Sequence, residues 1–254
     1  MTGSTPLCPE EVIGLEQEQP ILEAYVTNLG KYNEGELAST LLKFPTTKEE
    51  VQAALKRIGI DNIRYEEIFI ADYDGRLPEL NACLGEYESI DELNHLAHLL
   101  SELDKSDLEK FEAVIDCGEH TSSVADLINL VENLDAYEFY PGVEDDETLG
   151  RIYVEDMEAI DIPDHLLDYF DYKAYGRDMR INEDGGFSHG GYVVGSGSQF
   201  VEHYHGREDI PDEHKVFAYP QLSIREQMAA YKEVIDRFPQ AAERPRPEQG
   251  HTDR

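Results

Sequence analysis

The sequence predicts an α+β protein made of three small modules in series, α+β, helical and α+β, and three observations carry that prediction. Apolar residues recur at strand spacing in Leu22–Gly30 and Tyr65–Ile70, at helical spacing in three short segments from Ser89 to Leu134, and at strand spacing again from Tyr137. The links between the three central helices are only a few residues long, which predicts antiparallel neighbours packed as a compact unit. The outer faces of these segments are left to acid: from Glu86 to Asp178, 27 carboxylates stand against five cations, Lys105, Lys110, Arg151, Lys173 and Arg177.

Taken in order, residues 1–20 lack sustained periodicity and read as a mobile tail. Residues 21–88 form the first α+β module. Its strand LEAYVTNLG leads through Lys31–Phe44 to a helix opened by Thr47 and Glu50, a capping-box pair, with Val51, Leu55 and Ile58 on one face. A second strand, YEEIFIADYDG, ends at the turn Asp74-Gly75.

Residues 89–136 form the helical module. Ser89–Glu92 and Ser106–Glu109 read as capping boxes of its first two helices, and the third starts near Ser122 or Ser123. Residues 137–205 form the third module. Tyr137, Phe139 and Tyr140 read as a strand stopped by Pro141-Gly142, followed by a helix through Leu149, Ile152 and Tyr153. Pro163 opens PDHLLDYFDYKAYGRDM, read as one helix with Leu166, Leu167, Phe170 and Tyr175 inward. Two Gly-rich turns then separate FSHGGYVV from QFVEHYH, read as terminal strands.

Residues 206–254 form a C-terminal extension, expected to be partly disordered. Within it Ile224, Met228, Tyr231, Ile235 and Phe238 form an amphipathic helical stripe that either docks on the body or binds a partner.

The formal charge of −34 over 254 residues is far beyond the magnitude of about 2 to 8 that keeps a small domain soluble. It opposes compaction and attracts cations at a distance, so the natural partner is a protein groove built to hold polyanion. Duplex DNA presents one negative charge per about 1.7 Å of axis. Elongated helical modules carrying outward carboxylates at each turn of about 5.4 Å can supply comparable density along an edge.

No stretch reaches the roughly 18 apolar residues of a membrane helix, and no charged n-region with an apolar h-region opens the chain; a cytoplasmic protein is expected, with no membrane partner. Cys8, Cys83 and Cys117 are odd in number, without a CxxC pair, and read as three free thiols.

The search for catalytic chemistry gives little. His95 and His98 are spaced i, i+3, and His203, His205 and His214 cluster with Glu202 and Glu208, but no HExxH or CxxC accompanies them. A metal-dependent enzyme built on His203–His214 is thereby outweighed by ordinary helix-face and surface histidines. Asp72, Asp74 and Gly75 begin like a calcium loop, yet Arg76-Leu77 and the lack of a later Glu break the pattern. Gly195–Ser198 lacks the Lys and helix of a phosphate loop, and neither a GxSxG elbow nor an oriented Cys/His pair is visible. No cofactor, metal or catalytic residue is expected.

TNLGKYNEGEL (27–37), KFPTT (43–47), LKRIGI (55–60), LGEYESIDELNHLA (84–97), YEFYPGV (137–143) and LLDYFDYKAYGRD (166–178) resemble, in consistent order, the ArdA antirestriction proteins of conjugative plasmids and transposons. The resemblance covers about Leu22 to Val194 and leaves out both ends. It implies a non-enzymatic DNA mimic: a bent acidic rod of three domains, a homodimer through the last, seated in the DNA-binding groove of type I restriction-modification enzymes at the methyltransferase core. Such a protein protects incoming mobile DNA and does not itself bind nucleic acid.

On this reading the mimic carboxylates are Asp91, Glu92, Glu102, Asp104, Asp107, Glu109, Glu112, Asp116, Glu119, Asp126, Glu132, Asp135, Glu144, Asp145, Asp146, Glu147, Glu155, Asp156 and Glu158. LLDYFDYKAYGRD looks like the family's antirestriction motif, which implies dimer and mimic roles for Asp168, Tyr169, Asp171, Tyr172 and Tyr175. The alternative is an acidic inhibitor or scaffold acting on another DNA-binding protein, such as a nucleoid protein or topoisomerase.

Overall fold

The computed structural model describes residues 19–237. Residues 1–18, with Cys8, and residues 238–254, with Phe238, lie outside the described residues. The described chain is mixed α+β with two antiparallel three-stranded sheets.

The first sheet has the order β2-β1-β3, from β1 (Leu22–Asn28), β2 (Ser39–Phe44) and β3 (Ile68–Asp74), with a one-turn α1 (Leu29–Asn33) after β1. Leu22, Ala24 and Val26 alternate inward on the central strand, as the pleat requires. Between β2 and β3, α2 (Lys48–Ile58) buries Val51, Ala54, Leu55 and Ile58. It starts at the expected capping box of Thr47 and Glu50 and stops at Gly59, whose φ of 84° only glycine adopts without strain.

After β3 comes a helix that the sequence reading did not foresee, α3 (Pro78–Cys83), with Pro at its first turn and Leu80 fully buried. Next are α4 (Ile90–Glu102), α5 (Lys105–Asp116) and α6 (Val124–Glu132). Ser123 caps α6, within the expected start. The other two caps differ. Ser89 accepts from the Glu92 backbone N–H, but the Glu92 carboxylate takes the Tyr204 hydroxyl at 2.8 Å instead of returning to Ser89. The cap of α5 is Asp104, not Ser106: its carboxylate accepts from the Asp107 N–H and moves the helix start one residue ahead of Ser106.

Nor do the three helices close into a unit of their own. α4 packs on α6, whereas α5 lies against α3 and the second sheet. One hydrophobic core therefore runs from Ile21 and Leu22 through Leu93, Phe111 and Leu127 to Val193, Tyr204 and Val216, crossing the expected boundaries at 88/89 and 136/137.

The second sheet has the order β4-β6-β5, from β4 (Tyr137–Pro141), β5 (Gly186–Ser188) and β6 (Gly191–Gly195). FSHGGYVV is thus a complete hairpin rather than one strand, with Phe187 opposite Tyr192. Between β4 and β5 lie α7 (Asp146–Arg151), extended by a wider turn over Ile152–Asp156, and α8 (Tyr172–Glu183). The single helix expected from Pro163 is split into a 3₁₀ segment, Asp164–Tyr169, and α8. The break comes where the Asp171 carboxylate caps α8 by accepting from the Ala174 N–H. α7 and α8 touch backbone to backbone, because a Cβ on Gly176 would stand 1.9 Å from the Asp146 carbonyl oxygen and one on Gly150 2.0 Å from that of Tyr172. A smaller core of Val143, Leu149, Tyr153, Tyr192 and Val194 sits beneath them.

QFVEHYH is not a strand. It is an irregular segment held by two asparagines four residues apart, Asn129 on α6 and Asn133 at its C-cap. Asn129 accepts from the His203 and Tyr204 N–H groups and donates to the Tyr204 carbonyl; Asn133 accepts from Val201 N–H and donates to its carbonyl. These amides replace the partner strand that the segment lacks. The chain then crosses α4, burying Ile210 and Val216, and the described residues close with α9 (Ile224–Arg237).

Candidate functional site

The fold distributes the predicted carboxylates unequally. Glu102, Asp104, Asp107, Glu109, Asp116, Glu119, Glu132, Asp135, Glu144, Asp145, Glu147, Glu155, Asp156 and Glu158 are exposed. They stand on α5, at the ends of α4 and α6, and around α7. The helices bury their apolar stripes in one direction, so the residues between those stripes have only solvent to face.

Five of the set are withdrawn to differing degrees. Asp91, expected outward, is 1 % exposed. Its Oδ1 accepts from the Val216 and Phe217 N–H groups at 2.7 Å each, and its Oδ2 lies 2.6 Å from the Arg207 guanidinium. It is a buried anchor for the C-terminal segment and has no charge to offer a partner. Glu92 is half-buried under Tyr204. Asp126 and Asp146 are partly buried, and Asp146 is paired with Arg180 at 2.8 Å.

Glu112 is partly buried in a cleft of about 370 Å³ that it shares with Glu79, Glu109 and Asp116. Burial and a hydrogen bond with Glu79 push its carboxyl up to about 7. The charge of Glu109 adds to the rise and the Arg76 guanidinium opposes it.

Cations compensate little of the rest. In the acid-rich interval Lys105 meets Glu109, Arg151 meets Glu147 and Glu155, and Arg177 meets Asp178. These are exposed pairs, each contributing about 0 to 1 kcal/mol, and they leave most carboxylates hydrated and available. Asp145 caps α7, and its hydrogen bond from the Thr148 N–H holds it below the ordinary carboxylate range.

The antirestriction-motif residues have separate environments. Tyr169 is 85 % exposed and Leu166, expected inward, is 45 % exposed. Asp168 and Asp171 are exposed, with Asp171 occupied as the α8 cap. Tyr172 is buried with the Arg151 guanidinium 4.4 Å above its ring, and Tyr175 meets Phe170 edge to face. Together Leu166 and Tyr169 form an outward apolar step next to acidic side chains.

The histidines regroup in a way that spacing did not show. His214 leaves His203 and His205 and joins α4: its Nδ1 is 2.9 Å from His95 Nδ1, and its ring stacks on His98 at 4.1 Å. Among the described residues no group of three His, Cys, Asp or Glu side chains could hold a metal ion. Cys83 and Cys117 are free thiols. No described helix is long and apolar enough to cross a membrane.

Asn94, Asn129, Asn133 and Arg207, none of them among the predicted site residues, tie residues 201–217 to the helices. A signal was present: an asparagine among apolar residues on a buried helix face needs partners from outside its helix.

The molecule so described is an acidic α+β protein whose display side chains are carboxylates on helix faces. Residues 24–194 match the family model described as Antirestriction protein (ArdA), and the chain belongs to that family of antirestriction proteins. The match ends in β6, so the segment held by Asn129 and Asn133, together with α9, lies beyond it. No curated protein matches the chain.

Proposed function

We propose that this protein is a non-enzymatic double-stranded DNA mimic that occupies the DNA-binding groove of type I restriction-modification enzymes, on the methyltransferase core, and so protects incoming mobile DNA. The observation that carries the reading is the combination of membership in an antirestriction family with exposed, largely uncompensated carboxylates on α5, α6 and α7 within the matched residues. Carboxylates held on rigid helices present charge without the entropy loss of ordering a flexible acidic tail. Opposite the Lys and Arg of a DNA groove they take the place of phosphates, and association is steered by the long-range field of the chain. Homodimerisation through the third module, with Tyr169 and Leu166 at the contact, would double the length of the acidic face. The test is restriction of unmodified phage in cells carrying a type I system. Expression of this protein should raise plating efficiency toward that of modified phage; unchanged restriction, with the protein folded and abundant, would overturn the reading.

A further inference from the structure

The C-terminal helix is docked the wrong way round for an ordinary amphipathic helix. Glu226, Ala230, Glu233 and Arg237 face the body: Glu226 pairs with Lys56 at 3.1 Å, Glu233 with Arg64, and Arg237 with Glu34 and Tyr65, while Ala230 is buried. The apolar stripe is offset from these residues by two positions, about 200° around the helix, and points to water. Ile224 is 80 %, Met228 67 %, Tyr231 54 % and Ile235 68 % exposed. Four large apolar side chains in one exposed row mark an interface.

Their spacing identifies the occupant. Steps of four, three and four residues make the a/d seam of a coiled coil, with Ile224 and Tyr231 at d and Met228 and Ile235 at a. Flanking charge fixes the direction. Arg225 and Lys232 hold the e positions and Gln227 a g position. An antiparallel pair would set Arg225 against the partner's Lys232, like charge on like charge. A parallel pair sets Lys232 beside the neutral Gln227 of the other copy. The rest of the molecule also accommodates such a pair, because each acidic body lies on the far side of its own helix. Two helices, each about 10 Å across, then separate the bodies by more than the Debye length of about 8 Å at physiological salt.

We infer that α9 is a self-association element that pairs in parallel with α9 of a second copy through Ile224, Met228, Tyr231 and Ile235. This contact is independent of the third-module dimer proposed above, because the two surfaces lie on different elements. A four-residue seam buries less than the roughly 800 Å² per partner of a standard interface, so the pairing is concentration-dependent.

The test is the mass of the full chain by light scattering across a concentration series, compared with the double variant Met228→Glu/Ile235→Glu. Both positions are exposed, and circular dichroism should show an unchanged fold. The wild-type mass should rise with concentration to at least twice the plateau of the variant, whether that plateau is a monomer or a third-module dimer. Equal mass curves would overturn the inference. Ile224→Cys adds the direction. A parallel seam brings the two thiols together, giving a 224–224 disulfide by peptide mapping, whereas an antiparallel one holds them about 16 Å apart, beyond bridging distance. A 224–224 disulfide absent from a mass-doubled sample would contradict the parallel arrangement.

Discussion

Asp91 on α4 and Arg207 in the C-terminal segment form an ion pair across 116 residues of chain, 2.6 Å apart, with Asp91 buried and the Arg207 side chain 54 % exposed. The carboxylate also accepts two backbone N–H groups, so the aspartate serves the C-terminal segment more than it serves the arginine.

The two partners should therefore respond unequally to substitution. Asp91→Ala leaves the buried Val216 N–H without an acceptor and removes charge-assisted bonds that typically contribute about 1.5 to 3 kcal/mol each. It should cost about 3 kcal/mol in urea denaturation. Arg207→Ala removes a half-hydrated cation and should cost about 1 kcal/mol or less. Equal costs would show that the pair, rather than the backbone acceptance, is what matters.

The close approach of α7 and α8 gives a second prediction. Gly176→Ala places a methyl on the Asp146 carbonyl, and backbone cannot yield as a flexible side chain would. Overpacking of this kind costs about 1 to 3 kcal/mol or more. Thermal melts should show a clear loss, and hydrogen exchange should show early opening of residues 146–183. The neighbouring exposed Lys173→Ala should change neither.

Protonation acts on the fold in two opposite directions. Burial, then the facing His214 ring, lower the pKa of His95, with His98 adding to the effect; burial and His214 likewise lower His98, opposed by Glu102. A lowered histidine binds its proton more weakly in the folded state. That stability is full above the unfolded value of about 6.5 and is lost as pH falls through the folded values. Glu112 has the reverse sign: its contribution is full below the ordinary carboxylate range and is lost as pH rises through about 7. Urea midpoints for His95→Gln should fall less than wild type between pH 7 and 5. Glu112→Gln should exceed wild type at pH 8 and match it at pH 4. A Glu112→Gln gain that persisted unchanged at pH 4 would point to packing rather than to the ionisation of Glu112.

How much of this was legible in the chain depends on how local each cause is. Caps and turns set by adjacent residues were readable: the Thr47–Glu50 box, the Ser123 cap and the Pro141-Gly142 stop follow from chemistry within one turn. Two misreadings were also local, where Asp104 caps α5 in place of Ser106 and where Asp171 caps α8 and breaks the helix expected from Pro163; the others depended on distant partners. QFVEHYH was read as a strand because its composition fits one, yet its hydrogen bonds come from Asn129 and Asn133 on a helix. Asp91 fell on the polar side of a helical pattern, and only the returning chain buries it. The α9 stripe was correctly seen as amphipathic, but which face would dock was decided by Lys56, Arg64 and Glu34 on other elements. The acidic surface was the most readable feature of the candidate site, since solvated charge needs no partner to be recognised. The cleft that sets Glu112 of α5 beside Glu79 of α3 joins two helices and has no sequence signal.

If carboxylates stand in for DNA phosphates, this protein must compete with duplex DNA for a purified type I methyltransferase core. The measurement is displacement of a labelled duplex carrying the enzyme's recognition site by this protein, over a salt series, for wild type and for Asp107→Asn/Glu109→Gln, Asp116→Asn/Glu119→Gln and Glu144→Gln/Glu147→Gln, singly and combined. Wild type should displace the duplex fully, with an affinity that falls steeply as salt rises, and the neutralisations should give stepwise losses that accumulate over the three pairs without a dominant position, at about 0.2 to 1 kcal/mol per carboxylate. Binding that leaves the duplex in place, or that is indifferent to salt and to all six neutralisations, would contradict the DNA-mimic reading.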